Sequence, residues 1–496
     1  MVPALHMEEV NTVATDQNST TRQFTRNILL MVAVNVLIKP LYLFFIDIPI
    51  QEALGFQQYG QYFTLIDLGL LLFVILDPGL QNYSSTQIAQ TNSLEEVTAP
   101  LLGTKLVVSM GYLGASLAVF FLLGFPLPWL SSFLPIVLYL IILSGFTFFR
   151  AYIAAAGLYQ QDAWLSGLDK VALAITLGIP LYLLATEFSL ASFLWGQVIG
   201  ITLACLVAWL IIRRAALPLR VSFDPSRIKA VLRSCIPYAL ILFLMAAVTK
   251  LDGVMLERLL RDEGRAAGAY ASAFRFFDLT NVFGALFGGL LLPMYARHIH
   301  QEQERQSLFE MAFRMLLLIG TGIGTVGFLC SDVIYSWIYS EAYQEYAPVF
   351  AYLMLGAAAV FLSHAFGGLF LASGRMTQIN TIFAGGLLMN FVMNWFLIPN
   401  FEALGAAQAS LVSQLFMLGG MAFVATKSGF VRWPEGLVRS SIFFLIIALS
   451  GGVGLKSLEM DPFWSVLLIS GWIIMISFAV GLLRVKDFSF LINRRI

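Results

Sequence analysis

About fourteen apolar stretches, each long enough to cross a bilayer, fill the chain from Asn27 to Val485, and nothing else in it constrains the fold so tightly. Of the 496 residues, 59% are hydrophobic and 12% charged, which leaves too little polar surface to cover a soluble body of that size. The expected fold is an all-α integral membrane protein, with a first span near 28–48 and a last near 463–483. Its spans leave almost no room for loops or a separate catalytic domain. Residues 1–26 are polar, lack the short apolar core of a signal peptide and read as a cytoplasmic tail. Cys205, Cys235 and Cys330 stand apart without CxxC spacing, so neither a disulfide framework nor a metal site is expected.

The basic residues orient the chain. Of 29 Lys and Arg, seven lie within spans and four (Arg258, Arg261, Arg265 and Lys456) in outer loops; the rest flank the opposite side. This asymmetry predicts that both termini are cytoplasmic. The longest basic connection, Arg213 to Arg233, falls between the sixth and seventh spans, where two halves would join. Gly60-Gln61-Tyr62 and Gly268-Ala269-Tyr270 open the second and eighth spans, and Gln197 and Gln414 occupy the sixth and twelfth. An even number of spans separates these copies, so the halves share an orientation. The expected division is a tail at 1–26, a six-helix lobe at 27–212, a basic linker at 213–233, a second six-helix lobe at 234–427, and two further helices with a tail at 428–496.

The run Gly55-Phe56-Gln57-Gln58-Tyr59-Gly60-Gln61-Tyr62 followed by Ile66-Asp67-Leu68-Gly69-Leu70 resembles the first outer loop and second helix of bacterial polysaccharide flippases. So does Lys250-Leu251-Asp252-Gly253-Val254-Met255-Leu256, leading into Gly268-Ala269-Tyr270-Ala271-Ser272-Ala273. These flippases belong to the multidrug, oligosaccharidyl-lipid and polysaccharide exporter superfamily. The resemblance implies two six-helix lobes forming a V around a central cavity, two C-terminal helices, and residence in the bacterial inner membrane. It also implies movement of undecaprenyl-diphosphate-linked oligosaccharide, such as an O-antigen, lipopolysaccharide or capsule unit, between leaflets by alternating access. Membrane lipids and polysaccharide polymerase machinery are the implied partners; nucleic acid is not.

The charges inside the spans are an independent argument about cargo. Lys39, Lys105, Arg150, Lys170, Lys250, Arg275 and Arg314 are expensive in hydrocarbon unless they face a polar cavity, pair, or snorkel. Lys105 and Arg314 start about two turns inside the cytoplasmic face, where snorkelling explains them. Lys39 shares a helix face with Asn35 and Tyr42 near the middle of the first span, beside the helix-bending Pro40. Lys250 has Asp252 as a nearby partner, Lys170 has Asp169, and Arg275 has Asp278 three residues on. The repeat aligns Arg275 with Asp67, which places opposite charges at equivalent points of the two lobes. Cationic side chains replace the hydration of a diphosphate, whereas a cationic drug calls for an acidic, aromatic cavity. Asn35, Tyr42, Asn390 and Asn394 are candidate sugar contacts, although the two Asn equally suit helix–helix hydrogen bonding.

The energy source is less defined. Asp67, Asp77, Asp252 and Asp278 are candidates for gating or for proton or sodium coupling, with Asp67 and Asp77 the least obviously paired. Asp77 precedes Pro78-Gly79 and equally suits a helix cap. No GxxxxGK[ST] loop is present, and no cofactor is expected. A drug antiporter of the same superfamily and a membrane glycan polymerase or ligase are the rival readings; the second normally needs a larger outer loop than this chain has.

Overall fold

A computed structural model describes residues 37–90, 93–183, 188–433, 435–458 and 460–481. Asn35, the expected 1–26 tail and the start of the first span lie outside them. Among the described residues all regular structure is helical: α1 (Ile48–Leu71), α2 (Leu80–Gln90), α3 (Leu94–Leu122), α4 (Leu130–Ala155), α5 (Tyr159–Leu183), α6 (Leu190–Arg214), α7 (Pro225–Leu260), α8 (Arg265–His298), α9 (Glu302–Leu329), α10 (Ser331–Ile338), α11 (Ala347–Ala372), α12 (Met376–Lys427), α13 (Glu435–Lys456) and α14 (Pro462–Ala479). Short helical turns fill Phe73–Leu76 and Glu341–Gln344.

Eleven of the described helices are long and apolar enough to cross a membrane, or twelve if the pair Leu37–Leu71 and Phe73–Ile88, bent by 46°, counts as one span. The expectation of about fourteen differs for physical reasons. The first expected span falls partly outside the described residues, and α12 is two helices joined at a non-helical break at Glu402 (φ 49°, ψ −129°), which sequence reading divides into two spans.

The helices gather into two compact units: the chain up to Ile50 with Leu72–Ala239, and Gln51–Leu71 with the chain from Leu240 onward. In the first, α4 packs against α2, α5 and α6. Phe120 stacks between Phe125 and Phe133, with centroids 5.4 and 5.1 Å away, because aromatic faces fill a helix seam that β-branched residues would leave open. The basic segment after α6 is no loose linker. Ser222 N–H donates to Ala99 O (3.0 Å), Tyr152 Oη donates to Pro218 O (3.0 Å), and a side chain at Gly103 would overlap the Ser222 carbonyl. The segment therefore lies flat on α3 and belongs to this unit.

In the second unit α11 is the hub, packed on α8, α9 and α12. Gly320, Gly324 and Gly327 remove side chains from the α9 face that meets Met354 and Ala358, so the two backbones approach closely. The last two helices pack against each other and against α9, with Trp472 Nε1 donating to Ile447 O at 3.1 Å.

Residues 51–71 join the second unit through glycine. A Cβ on Gly60 would overlap the Gly264 carbonyl, and one on Gly268 would overlap the Phe56 carbonyl. The tripeptides on which the expected repeat rests thus mark a backbone-to-backbone crossing of α1 and α8. Gly55, at φ 68°, redirects the chain just before it, a conformation that side chains with a Cβ resist.

Candidate functional site

The polar heart of the second unit is built from α1, α7, α8 and α12. Asp252 is fully buried, and three donors converge on it: Tyr270 Oη (2.6 Å) on one carboxylate oxygen, and Asn390 Nδ2 (3.0 Å) and Asn394 Nδ2 (2.7 Å) on the other. Asn394 Nδ2 also reaches Asn390 Oδ1 at 3.1 Å. The two Asn are themselves fully buried and tie α12 to α7, so they offer no free face to a sugar.

Lys250 does not pair with Asp252, because residues two apart point to different sides of a helix. Its Nζ donates to Asp278 Oδ2 at 3.2 Å, lies 3.8 Å from Asp67 Oδ1, and sits 4.6 Å above the Phe274 ring. Asp278, three residues on from Arg275, thus meets Lys250. Asp67, which the repeat aligns with Arg275, has Lys250 as a neighbouring base. Gly253 makes room for this: a Cβ there would stand 2.6 Å from Asp67 Oδ2 and 2.9 Å from the Phe63 ring. Arg275 directs Nε and Nη2 to the Tyr59 hydroxyl at 2.9 and 2.7 Å. In this unit two bases, Lys250 and Arg275, stand among three carboxylates.

Sequence reasoning missed the tyrosines that complete the network. Tyr339 Oη donates to Gln51 Oε1 (2.8 Å), Tyr343 Oη donates to Gln51 O (2.8 Å), and Tyr335 Oη shares a 2.8 Å hydrogen bond with Ser272 Oγ. Their spacing of four residues at 335, 339 and 343 was the available signal.

The first unit carries the opposite balance. Arg150 Nε donates to Asp162 Oδ1 at 2.8 Å; Lys170 Nζ is 3.7 Å from Asp169 Oδ2 and 5.2 Å from the centre of the Tyr42 ring. Lys39, half-buried, lies within electrostatic reach of Lys170, Asp169 and Arg150. Three bases from the helical turns before α1 and from α4 and α5 thus stand among two carboxylates. Tyr42 stands beside this cluster through Lys170.

Lys105 and Asp77 have structural duties. Lys105 does not snorkel: it is 6% exposed, and its Nζ donates to Leu76 O (3.2 Å) and to Ser144 Oγ. The chain breaks after Leu76, and the ammonium satisfies a carbonyl orphaned by that break. Asp77 Oδ1 accepts from Gly79 N (3.1 Å) and Gln81 N (3.3 Å), capping the next helix. His364 packs against Gly284 and Gly288. Among the described residues no cluster of His, Cys, Asp or Glu has the makings of a metal site.

This architecture, a bundle of bilayer-length helices in two units with charge clusters inside them, defines a multi-pass membrane protein. Solved structures with the same fold include the lipid II flippase MurJ in an inward closed conformation (13% identity, TM-score 0.67, covering 94% of this chain and 100% of that one). An inward-facing multidrug resistance MATE family transporter of the MOP superfamily aligns with 13% identity and a TM-score of 0.60, over 81% of this chain and 98% of that one. A MOP superfamily transporter from Pyrococcus furiosus aligns with 14% identity and a TM-score of 0.54, over 82% and 94%. No curated protein matches by sequence. Residues 24–298 match the model of the polysaccharide biosynthesis protein family, and the chain belongs to that family.

Proposed function

We propose that the protein flips an undecaprenyl-diphosphate-linked oligosaccharide, an O-antigen, capsule or exopolysaccharide unit, from the inner to the outer leaflet of the bacterial cytoplasmic membrane by alternating access, with both termini cytoplasmic. The observation that carries this reading is the first unit's cluster of Lys39, Arg150 and Lys170, where bases outnumber the neighbouring Asp162 and Asp169. A diphosphate leaving water needs such compensation, and partly neutralised lysines can both bind and release it. Tyr42 offers an aromatic face to the attached sugars. Family membership and a fold shared with a lipid II flippase support the same cargo class.

Lys250 and Arg275 take a different part in the proposal. Both are engaged with acidic or phenolic partners, so they hold the packing of residues 51–71 in one conformation and release it in another. Transport draws on a proton or sodium gradient, with Asp252 the carboxylate to test. Its donors are all neutral groups, and Asp252→Asn removes the charge with little change of shape.

The test reconstitutes the protein in liposomes carrying an undecaprenyl-diphosphate oligosaccharide and follows leaflet exchange. Lys39→Ala with Lys170→Ala is expected to slow exchange at least about tenfold while the protein stays folded, since each base near a lipid phosphate contributes about 1 kcal/mol. Unchanged exchange would remove these bases from the cargo path. If the wild type exchanges no glycan lipid under an imposed proton or sodium gradient, a small-molecule antiporter replaces the flippase; product polymerised in the same vesicles points to a glycan polymerase.

A further inference from the structure

The surface of the first unit holds a second basic feature that the flipping reaction does not use. The helix α7 starts fourteen residues before the membrane-length stretch Ala239–Leu260, and this leading part forms one wall of a groove of about 670 Å³. Val107 of α3 and Phe223 form the other side, with Ile228, Lys229, Arg233 and Ile236 along the helix. Phe223 is held in place by its neighbour: Ser222 N–H bonds to Ala99 O, and its carbonyl packs on Gly103. The groove is therefore a formed concavity between anchored elements rather than a gap beside a free loop.

Its chemistry is amphipathic. Val107, Phe223 and Ile236 are all exposed, Phe223 by 62% and Ile236 by 63%. Lys229 and Arg233, one helical turn apart, rise from the same apolar wall. Neighbouring bases are already neutralised, Arg227 by Asp224 (3.6 Å) and Arg220 by Glu95. Among the described residues Lys229 and Arg233 have no acidic partner within 4 Å. Two unpaired cations above an apolar trough, immediately before a membrane span, match a phosphate with an acyl chain beneath it.

We propose that this groove binds an anionic phospholipid of the cytoplasmic leaflet, with the headgroup phosphate on Lys229 and Arg233 and an acyl chain along Val107, Phe223 and Ile236. The lipid seats the leading part of α7 at headgroup level, on the same helix that further along carries Lys250 and Asp252. The inference shares the proposed topology but not the proposed cargo.

The test titrates the full-length protein in detergent with phosphatidylglycerol and, separately, with phosphatidylcholine, reading bound lipid by native mass spectrometry. No flipping is required, so failure of the flippase reading leaves the result interpretable. Wild type is expected to prefer phosphatidylglycerol. Lys229→Gln with Arg233→Gln is expected to weaken that lipid about 30-fold, roughly fivefold per base, and leave phosphatidylcholine unchanged. Phe223→Ser is expected to weaken both lipids alike. An unaltered melting temperature of each variant shows that the fold is intact. The proposal is overturned if the wild type shows no preference, if the double variant retains phosphatidylglycerol as wild type does, or if the groove takes undecaprenyl diphosphate and not phosphatidylglycerol.

Discussion

Replacing Lys250 with Met tests whether the charge network in the second unit is a buried, interdependent one. Lys250 Nζ lies 3.2 Å from Asp278 and 3.8 Å from Asp67, attractions of about 5 and about 4 kcal/mol at the effective dielectric of a partly buried site. Desolvation of the ammonium and repulsion between the two carboxylates offset much of this, so the net worth of the pairing is far smaller than the sum. Methionine fills a similar volume, which confines the loss to charge. The consequence falls on Asp67: its side chain is 2% exposed, and Oδ2 has no hydrogen-bond partner. Removing one partner of a buried pair costs about 3–5 kcal/mol, and that is the loss expected for Lys250→Met. Adding Asp67→Asn to that background removes the stranded charge and is expected to restore about 2 kcal/mol, a coupling visible only in the double-mutant cycle. Unfolding titrations with SDS in mixed micelles measure all four proteins. The reasoning fails if Lys250→Met lies within about 1 kcal/mol of wild type, or if Asp67→Asn deepens the loss instead of relieving it.

Other substitutions separate packing from transport. Asp252→Ala strands the Tyr270 hydroxyl and the Asn390 and Asn394 amides and should destabilise by about 3 kcal/mol or more in the same titration, with Asp252→Asn costing less. Lys105→Met should cost about 1–3 kcal/mol because the Leu76 carbonyl loses its donor. Yet the folded fraction should exchange cargo in liposomes at the wild-type rate, since this lysine caps a helix break. Tyr339→Phe removes the donor to Gln51 Oε1 and Ser272 O, and a drop of about 1 kcal/mol is expected in unfolding titrations.

Helix class and the polar positions were legible because hydrocarbon permits few solutions: long apolar runs must be helices, and a charge within one must find company. Which company it finds was not legible. Lys250 and Asp252 are neighbours in sequence but diverge around α7, so one meets α1 and α8 while the other meets α8 and α12. Local spacing succeeded where the partner lay on the same stretch of chain, as for Lys170 with Asp169. It failed where the partner came from a distant helix. Asp162 is twelve residues past Arg150, across a turn between helices, and no periodic rule connects them. Lys105 shows the same limit: depth along a span counted in turns implied snorkelling, but the break after Leu76 supplied an inward carbonyl that outcompetes the headgroups. The Asn390–Asn394 spacing did foretell a shared face, and the partner both amides meet, Asp252, lies on α7.

Counting buried bases alone would assign all seven to an anionic cargo. Separating them by unit changes the argument, because a base held by a carboxylate offers less to a phosphate than one in local excess. Around α7 and α8, Lys250 meets Asp67 and Asp278, Arg275 meets the Tyr59 hydroxyl, and Asp252 is held by neutral donors, an anionic balance that makes the helices depend on one another. Around α4 and α5, Lys39, Arg150 and Lys170 exceed Asp162 and Asp169 by one charge, which leaves a weak cationic field without a trap. In the proposed flipping role the protein must release what it binds, so that slight excess serves turnover better than seven unneutralised bases would. The cation-rich cluster and the interlocked acidic cluster therefore call for different mutational phenotypes: loss of cargo exchange in a stable protein for the first, and loss of stability for the second.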